Sequence, residues 1–240
     1  MGGYTCAVAE EPPIGGERVA LPAVGGHIRD RRQLRDLSVR ELARRVGLSA
    51  SLISQIELGK VTPSVATLYA ITTELEMSLD ELFSKRAKAA PTEIGAFADD
   101  AAGLRGLDAH ARANGSEPDD EPRGPVIRPS ERKVIQLHSG VRWELLTPSS
   151  NRNIDFLFVD YEPGGASCEA GILMRHAGRE YGYVLSGALE VTVEFETYRL
   201  EPGYSISFDS TVPHRLATAG DEPVQAIWFV VGRSGDPRLP

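Results

Sequence analysis

The hydrophobic period of this chain changes once, and the change divides it into two kinds of domain. Between residues 26 and 83, apolar residues recur at helical spacing: Ile28, Leu34 and Leu37; Leu42, Ala43 and Val46; Leu52, Ile53 and Ile56; Val65, Leu68, Ile71 and Leu75. Each set lies on one face at 3.6 residues per turn. From about residue 131 the repeat is two, in runs rich in β-branched and aromatic residues over 143–146, 154–159, 181–185, 189–193, 205–208 and 225–231. Gly164-Gly165, Ser186-Gly187, Pro202-Gly203 and Gly220-Asp221 separate these runs, the pattern of consecutive antiparallel strands in a sandwich or barrel. The period fixes which side chains share a face, so the expectation is multidomain: an all-α domain over 26–84 and an all-β domain over 130–234. Residues 85–129 are alanine-rich and then acidic, broken around Asn114-Gly115 and Pro118-Asp119-Asp120-Glu121-Pro122, and read as a flexible acidic linker. Residues 1–25 hold five glycines and three prolines without an apolar period and read as a disordered tail; 235–240 form a closing tail.

Taken as an average, the net charge of -8 on 240 residues argues against nucleic acid as a partner. The average hides a split. Residues 27–88 carry eleven Lys/Arg against eight Asp/Glu, a balance of +3, and the acidic excess lies in the flanks. Arg29, Arg31, Arg32, Arg35, Arg40, Arg44 and Arg45 crowd into one short stretch, which makes a local positive surface on an acidic molecule the expectation. No apolar run reaches the length of a bilayer span. Two cysteines, Cys6 and Cys168, are too few for a disulfide framework and suit a reducing compartment. A cytoplasmic protein without a membrane partner is expected.

Within the helical segment the start and stop signals are specific. Ser38-Val39-Arg40-Glu41 and Ser78-Leu79-Asp80-Glu81 are capping boxes. Gly47 ends the helix opened by Ser38, Ser49 caps the next, and Leu52, Ile53 and Ile56 turn inward, leaving Ala50, Ser51, Ser54 and Gln55 outward. This is a helix-turn-helix pattern, whose second helix enters the major groove. The stretch, with its Glu57-x-Gly59-Lys60 ending and Thr62-Pro63-Ser64, closely resembles the Xre-type family of phage lambda and 434 repressor and Cro. The resemblance implies a five-helix lambda-repressor-like DNA-binding domain. It places Ala50, Ser51, Ser54 and Gln55 at base-reading positions and Arg40, Lys60, Thr62 and Ser64 near phosphates, and it pairs Arg32 with Glu57 as a structural salt bridge. Val39 stands where many relatives have a glutamine that touches the backbone.

His27 before the first helix, His110 in the linker and His138 near the start of the β segment read as exposed or structural. His176 and Glu180 open the run at 181–185, and Pro213-His214 follows the run at 205–208. Two strands of one barrel can bring two imidazoles and a carboxylate together, the facial set that leaves open positions on a divalent metal. The passages from Pro163-Gly164 to Gly187 and from Pro202-Gly203 to His214 resemble the cupin family, which implies a double-stranded β-helix, or jelly-roll, barrel. The chain departs from the usual cupin set. Met174 takes the place of the first histidine, Tyr204 replaces the aspartate after Gly203, and the asparagine following the last histidine is missing near Ala217-Thr218. Two readings stay open: His176, Glu180 and His214 hold a divalent metal ion (Zn, Fe, Mn or Ni), or they bond to one another around an apolar effector pocket without metal. Trp143, Phe156, Phe158, Met174, Phe208 and Trp228 are candidate pocket residues.

Jointly, the two domains resemble bacterial transcriptional regulators in which an Xre-type domain is fused to a cupin sensor. The resemblance implies double-stranded DNA with a two-fold operator, a small-molecule effector, and a homodimer formed through the cupin. The same architecture occurs in a mononuclear iron epoxidase that uses a His, Glu and His triad. The regulator is preferred and enzyme activity is not expected, because an enzyme has no use for a capped reading helix beside an arginine cluster.

Overall fold

A computed structural model of the chain describes residues 17–83, 125–148 and 154–232. The acidic segment 85–124, most of the linker read from the sequence, lies outside the described residues, as do Cys6, His110 and the closing tail. Five helices follow one another: α1 Leu21–Leu34, α2 Val39–Val46, α3 Ala50–Glu57, α4 Val65–Glu74 and α5 Leu79–Phe83. Serines start four of them, α2 to α5. The hydroxyls of Ser38, Ser49, Ser64 and Ser78 accept from the backbone N–H of Glu41, Leu52, Thr67 and Glu81 at 3.1, 3.1, 3.2 and 3.3 Å. Gly47 ends α2 at φ 70, the left-handed conformation that favours glycine.

Helix α1 corrects one expectation, because it begins inside the stretch read as a disordered tail. Pro22 sits in its first turn, where no N–H partner is needed. Val24 is buried, and a Cβ on Gly25 would lie 2.3 Å from the carbonyl oxygen of Ile56. Glycine there lets α1 cross α3 closely.

The second domain is a barrel of two sheets. The larger has the order β1-β2-β3-β4-β10-β5-β8, with β1 Glu17–Arg18, β2 Lys133–Leu137, β3 Val141–Leu145, β4 Ile154–Tyr161, β10 Val224–Val231, β5 Arg179–Ser186 and β8 Ser205–Asp209; the smaller is β7 Glu196–Leu200, β6 Leu189–Val193 and β9 His214–Thr218. Inward residues alternate along the strands. Glu180, Gly182 and Val184 of β5 face Val230, Trp228 and Ala226 of β10 in register. Bridges from Ala166 to Ala217 and from Met174 to His214 tie the 165–174 segment across β9.

The helical domain rests on this barrel. Its apolar core is continuous with the barrel's, passing from Leu68 and Tyr69 to Trp143 and Trp228. The His138 N–H donates to the Pro63 carbonyl at 2.9 Å, and the Ala66 N–H to the Ser167 carbonyl at 3.1 Å. Strand β1, which precedes α1, runs parallel to β2, and the Val19 N–H donates to the Val134 carbonyl at 2.8 Å. Among the described residues, no helix is long and apolar enough to cross a membrane.

Candidate functional site

Two surfaces carry chemistry. The first is the outer face of α3. Arg32 on α1 grips Glu57 at the end of α3 through two bonds, Nε to Oε1 at 2.6 Å and Nη2 to Oε2 at 2.9 Å, and its Nη1 donates to the Leu37 carbonyl at 2.7 Å. Both side chains are buried, so this bidentate clamp fixes the direction of α3. Ser51 and Gln55 project outward and exposed, while Ala50 and Ser54 are half-buried beside them. Arg40 and Lys60 are exposed at either end. Thr62 and Ser64 are half-buried. The Ser64 hydroxyl is engaged as the cap of α4 and also donates to Thr67 Oγ1 at 3.0 Å.

The arginine cluster is less free than its density suggests. Arg31 donates to the carbonyls of Leu75 and Glu76, and Arg35 to the carbonyl of Glu74 and the carboxylate of Glu76. Arg44 and Arg45 share Glu41, and Arg45 also reaches Glu74. The Glu41 carboxylate therefore serves the arginines rather than closing a capping box on Ser38. Those guanidiniums hold its carboxyl at about 2, well below the usual carboxylate range. Arg29, Arg40 and Lys60 are left without an acidic partner among the described residues.

The second surface lies inside the barrel. His176, just before β5, Glu180 on β5 and His214 at the start of β9 converge. His176 Nε2 and His214 Nε2 lie 2.9 and 3.0 Å from the same oxygen, Glu180 Oε1, with all three residues buried. The other carboxylate oxygen accepts from the Trp228 indole N–H at 2.7 Å. Each imidazole also directs its Nδ1 at a backbone carbonyl, His176 at Ala177 (3.1 Å) and His214 at Val212 (2.9 Å). A carbonyl only accepts, so each neutral ring carries its proton on Nδ1 and presents a lone pair at Nε2. Despite the short separations, neither Nε2 nor Oε1 has an aligned hydrogen-bond partner. Three buried electron-rich atoms thus point at one another with no proton placed between them.

That arrangement fits a cation. The three ligand atoms lie within 4.8 Å of one another. Two donors at about 2.1 Å from a shared ion and at right angles to each other would stand about 3 Å apart, the separation found here. Burial pushes the Glu180 carboxyl up, but the two imidazoles facing it outweigh burial and hold it low, so the group is a carboxylate. The ligand set is therefore one carboxylate and two imidazoles, with Trp228 and two carbonyls orienting it from behind.

Against Glu180 of the triad lies a cavity of only about 20 Å³, lined in part by Trp143, Met174 and Trp228 together with Leu157, Val159 and Tyr161. Phe208 is buried with its ring 5.1 Å from that of His214. Phe156 and Phe158 correct the sequence reading. On β4 the buried positions are Leu157, Val159 and Tyr161, so these two phenylalanines fall on the opposite face, where Phe156 stacks on Phe229 at 4.2 Å. Gly182, opposite Trp228, makes room for the indole, since a Cβ there would lie 2.0 Å from the ring. The sequence reading passed over Tyr69 of α4 altogether. Its ring stacks on His176 with centroids 4.2 Å apart and 15° between the planes.

Comparison with known proteins agrees with this two-part construction. Residues 28–82 match the Helix-turn-helix family and residues 157–230 the Cupin domain family. Over 197 residues the chain is 27% identical to the HTH-type transcriptional regulator PuuR of Escherichia coli (strain K12), covering 81% of this chain and 87% of that one. Its fold is that of an HTH_3 family transcriptional regulator from Vibrio cholerae, with a TM-score of 0.57, 20% identity, and coverage of 88% of this chain and 96% of that one. The hydroxypropylphosphonic acid epoxidase from S. wedmorenis is 20% identical and covers 88% of this chain and 98% of that one. Its TM-score of 0.36 is too low to bear on activity.

Proposed function

We propose, for a chain that belongs to the helix-turn-helix transcriptional regulators with a C-terminal cupin domain, that α3 reads an operator while the barrel senses a small molecule. The observation that carries this reading is the presentation of α3. It is capped by Ser49, clamped by Arg32 and Glu57, and shows Ser51 and Gln55 to solvent. Gln55 has the two-pronged amide that suits adenine in the major groove. Arg40 and Lys60, with no acidic partner among the described residues, supply phosphate contacts that position the helix without reading sequence.

The barrel triad, in this reading, holds a divalent metal ion from the Zn, Fe, Mn or Ni group through His176, Glu180 and His214. When bound, the ion supplies a Lewis-acidic anchor for an anionic or chelating group of the effector. The protein's own groups do the rest: Trp228 fixes the carboxylate, the backbone carbonyls of Ala177 and Val212 fix the ring tautomers, and Trp143 and Met174 exclude water.

One helix-turn-helix covers too little DNA for high specificity, which favours a homodimer on a two-fold operator. The outer face of β5 supports the barrel as the pairing surface. Tyr181, Tyr183 and Leu185 stand exposed on alternate positions, and Tyr204 lies exposed just before β8. An apolar patch of this kind marks an association surface. The site of action is the cytoplasm, and no enzyme activity is assigned. Gel shift with DNA from upstream of the protein's own gene tests the reading. Binding that weakens steeply with salt is expected. Iron-dependent oxygen consumption without DNA binding would overturn the regulator in favour of a cupin oxygenase.

A further inference from the structure

The structure puts a residue of the DNA-binding domain into the wall of the barrel's ligand site. We propose that α4 is the lid of that site: Tyr69 docked on His176 and an organic ligand in the barrel exclude each other, so filling the barrel releases the DNA-binding domain from it. This deepens the sensor reading above and rests on the barrel interior being where the ligand goes.

The argument begins with space. Val65 and Tyr69, one turn apart on α4, close a cavity whose other walls are the barrel residues Trp143, Met174, Glu180 and Trp228. At about 20 Å³ it accommodates roughly one water molecule, whereas sites for small organic molecules run to about 300 Å³ and more. The Tyr69 ring fills the place such a molecule would take. It is buried, lies face to face on His176, and sits 5.4 Å from the Trp143 ring. Aromatic packing therefore holds the lid where a ligand would otherwise make the same contacts.

The attachment is also of a kind that opens. Two backbone hydrogen bonds join the start of α4 and the residue before its cap to the barrel, from Ala66 to Ser167 and from His138 to Pro63. Water replaces such bonds at a small net cost each. Docking leaves the reading face of α3 uncovered, since Ser51 and Gln55 remain exposed. What docking sets is the direction of that face relative to the barrel. Ligand and docked α4 compete for one volume, and by linkage each weakens the other by the same factor.

The chain's only two tryptophans, Trp143 and Trp228, both line the cavity, so their fluorescence reports the lid directly. Acrylamide quenching and the radius of gyration from solution scattering are measured on the full-length wild type and on Tyr69→Phe, Tyr69→Leu and Tyr69→Ala. Phenylalanine keeps the stack and is expected to stay much closer to wild type than leucine or alanine. Leucine keeps apolar volume within the helical domain, so it decides the question if alanine reduces the helical circular dichroism. Leucine and alanine are expected to raise the quenching constant by about threefold or more, together with a larger radius of gyration, as for local opening. Wild-type quenching in both would overturn the lid. Raised quenching with an unchanged radius would make Tyr69 a plug on an independently fixed domain, which also overturns the proposal. Neither measurement involves metal or DNA, so a failure here is distinct from a failure of the metal or operator reading.

Discussion

Glu57 shows how far the reading head depends on one side chain. Its carboxylate is buried and meets Arg32 through both oxygens, so truncating it strands a guanidinium away from water. Glu57→Ala is expected to cost about 3–5 kcal/mol of domain stability, measured as a lowered urea midpoint of the helical circular dichroism. Glu57→Gln keeps an acceptor for Arg32 and should cost less. Inside the barrel the equivalent residue is Trp228, whose indole N–H donates to Glu180 of the triad. Trp228→Phe keeps the ring and removes that bond, so the carboxylate loses its orientation. Metal affinity, read by chelator competition on protein purified without a histidine tag, should fall about 10- to 100-fold. Wild-type protein free of divalent metal, and taking none up, would count against the ligand set itself.

Elements were legible from the sequence wherever the signal is local. The starts of α2, α3 and α5 follow from Ser38, Ser49 and Ser78, because a capping serine and the apolar period after it lie within one turn. Helix α1 was lost at its start because a glycine needed for close packing, Gly25, looks the same in sequence as a glycine in a tail. Strand β7 escaped because four of its five positions are exposed, leaving no alternation to detect. The parity of β4 is also a tertiary matter. Alternation says that Phe156 and Phe158 share a face, but only pairing with β3, where Val159 meets Trp143, says which face is inside. The arginine cluster is the same lesson in charge, since Arg45 and Arg35 are claimed by Glu74 at the end of α4 and Glu76 just beyond it, which the linear sequence does not place nearby. Two outcomes separate the classes. Arg40→Ala should lower the slope of log affinity against log salt by about 1 with stability unchanged. Arg35→Ala should lower the thermal midpoint of the helical domain and leave that slope as it is. Tyr69 carried no legible sign, because a buried residue on α4 reads equally well as helical core.

At the scale of the whole molecule, a total charge of -8 describes the flanks and misdescribes the outer face of α3, flanked by Arg40 and Lys60, which have no acidic partner among the described residues. The exposed β5 face is where assembly is expected. Tyr183→Asp puts a charge in that patch and should shift sedimentation from dimer toward monomer while leaving the fold intact, with loss of two-fold operator binding. The course of the chain adds a further constraint. It leaves the large sheet after β1 and rejoins the same sheet at β2, so the helical domain is inserted into the barrel's edge as a loop would be, not appended to its end. If α4 opens as proposed, the short joint between Arg18 and Leu21 keeps the helical domain tied to the sheet edge. Cutting the molecule at a conventional boundary would also strip β2 of its covering strand. A fragment beginning at residue 125 should show an open strand edge and associate into broad, concentration-dependent oligomers on light scattering, where one that retains residues 17–19 stays discrete.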